Sequence, residues 1–138
     1  MRALIDLAIN VDAGPVSLKD IAKRQDISLN YLEQIFALLK KGKIIKSIRG
    51  AQGGYVIAED IEKITISEIL NVLEGSLAPV RCVAKEKPVE CERYSKCITK
   101  HLWGKMRNNL YVMLDEMTIK DLINDYYGEK TFCKAKSN

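Results

Sequence analysis

Three of the four cysteines and the single histidine of this 138-residue chain crowd into "CVAKEKPVECERYSKCITKH", residues 82–101. Cys82, Cys91 and Cys97 form a C-x8-C-x5-C pattern. Thiolates, not thiols, are the metal-binding form of cysteine, and nearby cations favour them; Lys85, Lys87, Arg93 and Lys96 lie among these three. The intervening residues are polar and include Pro88, which opposes regular structure. The segment therefore reads as a loop able to fold three thiolates around one centre. The spacing alone leaves open an iron–sulfur cluster, a zinc site, or three unconnected surface cysteines. His101 could add an imidazole or be a solvated helix residue. Its neighbour Lys100 is protonated near neutral pH and in that state is no ligand. Cys133, in the tail "KTFCKAKSN", reads as a free thiol outside the site.

The segment before this loop must supply the frame. "RALIDLAIN" places apolar residues at 3, 4, 7 and 8, a helical stripe that ends at the turn "DAGP". Ser17 is the expected N-cap of "LKDIAKRQ", and after the break "DIS", Ser28 opens "LNYLEQIFALLKKG". In that second segment Leu29, Leu32, Ile35, Phe36 and Leu39 share a face, with lysines in the last turn and Gly42 as the stop. Two helices joined so tightly form a helix-turn-helix. "KIIKSIRGAQGGYVIA" then reads as two short strands, at Ile44–Ile45 and Tyr55–Ile57, around the glycine-bearing tip "RGAQGG".

That order predicts a mainly α fold with a small β-hairpin wing: a winged helix-turn-helix followed by a long C-terminal helix. Many such helix pairs are only packing motifs, but a basic, glycine-lined tip fits a phosphate backbone or a minor groove. If the second helix enters the major groove of an operator duplex, Ser28, Asn30, Tyr31, Glu33 and Gln34 are the side chains placed to meet base edges. Gln can pair with adenine and Glu can accept from the cytosine amino group, although solvated side chains explain them equally. At the tip, Arg49, Gly50 and Gln52 are the candidates for DNA contact.

Charge follows the same division. Residues 1–57 carry 9 Lys and Arg against 5 Asp and Glu, residues 58–138 carry 13 of each, and the whole net charge of +4 lies in the first part. The bias permits a nucleic-acid surface there without requiring one. The length suits one domain that buries roughly 70% of its unfolded surface and needs no staples. The start, "MRALIDLAINVDAG", resembles neither a signal peptide nor a membrane span, so a cytoplasmic address with reduced cysteines is expected. One histidine beside no evident nucleophile, and no phosphate-cradling loop, argue against an enzyme.

Several stretches carry a family resemblance: "YLEQ" at 31–34, "RGAQGGY" at 49–55, "VLEG" at 72–75, and the cysteine region closed by Leu102 and Trp103. From Arg2 to about Tyr127 the chain resembles the Rrf-two family of bacterial winged-helix regulators. That family includes regulators of iron–sulfur cluster assembly, sensors of nitric oxide and repressors of cysteine metabolism. The resemblance implies a homodimer that represses or activates genes, paired through a long helix from each subunit. Leu102, Met106, Leu110, Met113 and Met117, widened by Trp103 and Leu114, would form that seam, with an ordinary intrachain core face as the alternative. "TIKDLINDYY" then reads as a short capped helix closing the chain.

Cluster-binding members carry three cysteines in this region and a histidine three residues after the last. Cys82, Cys91 and Cys97 match, although the first gap is longer here, but the fourth position falls on Lys100, and His101 is one later. On a helix the two point about 100° apart. The resemblance implies an iron–sulfur cluster, 2Fe–2S with three cysteines and one nitrogen or oxygen ligand; His101 is not an automatic replacement for the family's histidine, but local adjustment around Cys97 would bring it in. A 4Fe–4S cluster with an open site, or structural zinc, are the alternatives, as is control by a partner enzyme. Family members begin earlier than Met1, with a lead-in that helps dock on DNA and, in the nitric-oxide sensors, supplies an acidic ligand from the other subunit. The expected division is a winged domain at 1–77, a cysteine loop at 78–98, and a dimerisation helix with tail at 99–138.

Overall fold

The computed structural model describes residues 1–86 and 88–135; the side chains of Ala13 and of 129–135, Cys133 included, lie outside the described set. The order is α1 (Arg2–Asn10), α2 (Leu18–Gln25), α3 (Leu29–Lys41), β1 (Ile45–Ile48), β2 (Gly54–Ile57), α4 (Ile66–Glu74), α5 (Lys100–Glu116) and α6 (Ile119–Ala135). This is the mainly helical winged fold the periodicity predicts.

Local chemistry explains the boundaries. Ser17 and Ser28 cap α2 and α3, their hydroxyls accepting from the backbone N–H groups of Asp20 and Tyr31. Between these helices Asp26 takes a left-handed conformation at φ 51°, which a short polar side chain tolerates, and its N–H closes α2 on Ala22. Gly42 ends α3 as expected, its N–H bonded to Leu38 O. The periodicity reading did not place α4, although "TISE" announces it: Thr65 and Glu68 form a reciprocal capping box. Thr118 and Asp121 make the same kind of start for α6. That helix is longer than the short closing helix expected, because nothing after Tyr127 breaks it before Ala135.

The core is shared by nearly every element. Leu4, Leu7, Ile21, Leu32, Phe36, Leu39, Ile45, Ile69 and Ile119 are fully buried, so α6 is anchored in the same core as the helix-turn-helix. The junction is reinforced by backbone bonds from Ile66 N to Met117 O (2.8 Å) and from Ile119 N to Ile64 O (3.2 Å). One buried carboxylate interrupts the apolar face of α1. Asp6 accepts from Arg24 Nε (3.0 and 3.1 Å), Arg24 Nη2 (2.7 Å) and Gln25 Nε2 (3.0 Å), which fastens the end of α2 to α1. The first strand starts at Ile45, leaving out the expected Ile44, and runs on to Ile48, because each residue of β2 finds an antiparallel partner from Ile45↔Ile57 to Ile48↔Gly54. On the far side of β2, Val16 and Tyr55 exchange backbone bonds of 3.0 and 2.8 Å and add a one-residue third strand. Tyr55 in turn meets Phe36 of α3 edge-to-face at 5.1 Å, which braces the wing against that helix.

Candidate nucleic-acid interface and cysteine loop

In α3, Leu32, Phe36 and Leu39 face the core, and helical geometry then turns the intervening residues outward. Ser28, Asn30, Tyr31, Glu33 and Gln34 are all exposed, so the five residues expected at base edges do share an open surface. Arg49, Gly50 and Gln52 are exposed at the tip of the wing. The tip closes through Gly53 N to Gly50 O at 3.0 Å, and Gly53 is required because a Cβ there would strike the Ile48 carbonyl oxygen. A helix face beside a basic hairpin is the two-part footprint of a winged DNA-binding domain.

The cysteine loop lies between α4 and α5. Cys82 is half-buried in a single helical turn at Arg81–Val83, Cys91 is exposed, and Cys97 follows a second such turn at Tyr94–Lys96. Cys82 and Cys91 line one open hollow; Cys82 and His101 line another of about 400 Å³ with Lys100 and Arg107. Cys97 lines neither of these: its Sγ lies 3.4 Å from Thr99 Oγ1, and hydrogen bonds from the Thr99 hydroxyl and N–H lower its thiol pKa. Among the described residues no three of His, Cys, Asp and Glu gather as a metal-ligand set. Lys100 Nζ lies over the Tyr94 ring, 4.9 Å from its centroid.

The donor types nonetheless suit a cluster, and the loop is tied down unevenly. Its first part is held by Val89 N to Arg81 O (3.3 Å) and by Arg107 Nη1 donating to Val83 O (2.6 Å). The backbone bonds within Cys91–Cys97 are short-range: Tyr94 N to Cys91 O, Lys96 N to Arg93 O and Cys97 N to Tyr94 O. The sequence reading missed Arg107, which no periodicity singles out.

From Arg107 the contacts continue to the DNA-facing helix. On the same face of α5, Tyr111 Oη donates to Asn71 Oδ1 of α4 (3.1 Å) and accepts from Leu77 N (3.4 Å). In α4, Val72 packs so closely under the end of α3 that a Cβ added to Gly42 would lie 2.5 Å from Val72 Cγ2. Cysteine loop, α5, α4 and α3 thus form one connected series.

The expected stripe on α5 divides. Leu114 is buried, Leu110 is half-buried, and Met117 packs on the core instead of extending an outer seam. Leu102, Met106 and Met113 remain outward and exposed, with Leu102 at 53% and Met113 at 50%. Ile98, four residues before Leu102 and 94% exposed, continues that spacing just ahead of the first residue of α5, and the sequence reading overlooked it.

Fold and exposed surface together define a winged-helix DNA-binding regulator. The comparisons make the assignment specific: residues 1–125 match the Rrf2 family, described as iron-dependent transcriptional regulator, and the chain belongs to that family. It is 38% identical over 125 residues to the HTH-type transcriptional regulator IscR of Escherichia coli O1:K1 / APEC, covering 91% of this chain and 75% of that protein. Among solved structures, T. potens IscR superposes with a TM-score of 0.71 at 39% identity, covering 91% of this chain and 80% of that one. CymR, the global cysteine regulator of B. subtilis, does so with a TM-score of 0.71 at 37% identity, covering 86% and 85%. These relatives are transcriptional regulators, not enzymes. Among the described residues no helix is long and apolar enough to cross a membrane.

Proposed function

We propose that this protein is a homodimeric regulator that binds an operator through α3 and the wing and alters its grip when an iron–sulfur centre on the cysteine loop is gained or lost. The observation that carries this reading is the connected series from Val83, next to Cys82, through Arg107 and Tyr111 on α5 to Asn71 and Val72 on α4 beneath α3. A change in loop order has a packed route to the DNA-facing helix, and in a dimer it would alter the spacing of two such helices on their half-sites.

In this reading Cys82, Cys91 and Cys97 hold the centre, and His101 is the available nitrogen in place of the Lys100 position. When bound, the cluster supplies a redox- and iron-sensitive link between thiolates. Cys91 and Cys97 stand on the locally bonded part of the loop and move to meet Cys82, which is pinned through its neighbour Val83. Leu102, Met106 and Met113 pair with the same face of a second copy. The winged unit 1–77 contacts DNA, the loop 78–98 senses, and 99–138 joins subunits. A regulator of DNA works where the DNA is, in the bacterial cytoplasm. The test is an ultraviolet–visible spectrum with iron, sulfide and zinc quantitation on protein purified without oxygen. Visible absorption with iron matched by acid-labile sulfide supports the reading. If Cys91→Ala with Cys97→Ala leaves operator affinity unchanged with and without metal, the sensing role falls.

A second reading is favoured by Lys100 in the ligand position and by the likeness to CymR. It makes this a regulator of sulfur metabolism controlled by a partner enzyme, or one whose loop holds structural zinc. Zinc alone in the metal analysis, or DNA affinity that follows an added protein and not metal, would select it.

A further inference from the structure

Between Glu33 and Glu59 the chain holds Lys40, Lys41, Lys43, Lys46 and Arg49 and no carboxylate. The structure draws three of these together. Lys40 from the last turn of α3, Lys43 from the connection and Lys46 from β1 line one open hollow of about 510 Å³, whose remaining walls include Ile45, Ile48, Ala58 and Glu59. Lys43 adopts a left-handed backbone at φ 62°, a conformation in which glycine would be cheaper, with its N–H bonded to Lys40 O at 3.1 Å. Lys46 Nζ spends one of its three donors on Ala58 O at 2.9 Å. The ion pairs among the described residues, Arg24–Asp6 and Lys120–Glu62, include none of these five cations.

We propose that this hollow is a further DNA-backbone contact, distinct from the first turns of α3 and from the wing tip, and that it takes the sugar-phosphate strand flanking the bases α3 reads. The proposal rests on the DNA-binding reading. Charge complementarity and continuity select the occupant: the cations lie on the same helix as Gln34 and the same hairpin as Arg49. The combination of a cationic rim with the exposed aliphatic side chain of Ile48 suits anionic phosphate oxygens beside apolar deoxyribose faces. An acidic protein surface would use the same cations, and the open edge of β1 offers a third role, because lysines on an edge strand discourage pairing with another chain.

Salt dependence separates these. Each phosphate neutralised contributes about 0.9 to the slope of log affinity against log salt. The triple variant Lys40→Gln, Lys43→Asn, Lys46→Gln is compared with the parent on a random-sequence DNA duplex, with circular dichroism to establish that it folds. Over an about fourfold rise in salt the parent should lose affinity about 40-fold more than the variant, while preference among duplex sequences stays unchanged. Binding that is weakened by Arg49→Ala but whose salt slope survives the triple substitution overturns the hollow as a DNA contact and leaves the DNA-binding reading standing. Loss of polyglutamate binding with an unchanged DNA slope overturns it in favour of an acidic protein. A parent that binds no duplex overturns both readings.

Discussion

Replacing Asp6 by Ala tests how the helix-turn-helix is held at its working angle. Asp6 is 7% exposed and accepts from two donors of Arg24 and one of Gln25, residues at the end of α2 immediately before the turn into α3. The same contact raises the Arg24 pKa above its ordinary value, through the hydrogen bond to Asp6 first. Breaking a fully buried pair costs about 3–5 kcal/mol. The Arg24 side chain is 39% exposed and recovers water when Asp6 is lost, so the expected cost is nearer about 2–3 kcal/mol. For a chain of this length that lowers Tm by about 10 °C. Urea unfolding of Asp6→Ala, Arg24→Ala and the double variant, at one fixed protein concentration, isolates the pair; a coupling of about 1.5–2.5 kcal/mol is expected. A coupling below about 0.5 kcal/mol, the worth of an ordinary exposed ion pair, would refute the claim that this contact fixes α2 against α1.

Leu102→Asp with Met113→Asp should convert a dimer to a folded monomer in sedimentation velocity, since both side chains are exposed and contribute nothing to the core; an unchanged dimer would remove α5 as the seam. Arg107→Ala frees the Val83 carbonyl, and limited trypsin digestion should then cut within 85–96 several-fold faster, whereas unchanged cleavage would mean that the loop is held elsewhere. Asp121 has its pKa lowered, first by the Thr118 hydroxyl and then by the Thr118 N–H. A depressed carboxylate adds stability above its ordinary pKa of about 4 and loses it as pH falls through the lowered value. Thr118→Val should therefore be less stable than the parent at neutral pH, with the gap closing on acidification in pH-dependent urea unfolding; a gap independent of pH would point to lost packing instead.

Much of the frame was legible in the residue order because its signals are local. Helical spacing at 3, 4, 7 and 8, the serines at 17 and 28, the stop at Gly42 and the glycines of "RGAQGG" each act within a few residues, and the structure uses them as read. The family was legible for a related reason, since its motifs constrain neighbouring positions on one helix or one hairpin. The donor types of the cysteine loop were plain as well, but their arrangement was not, because a loop held by few backbone bonds carries no period. Tertiary structure alone decided the rest. It brought Asp6 to Arg24 across 18 positions and Tyr111 to Asn71 across 40. It also divided the apolar positions of α5 into a face that packs and a face left open, and gathered Lys40, Lys43 and Lys46 around one hollow. Such contacts join residues that share no spacing rule, so they exist only once the helices have packed.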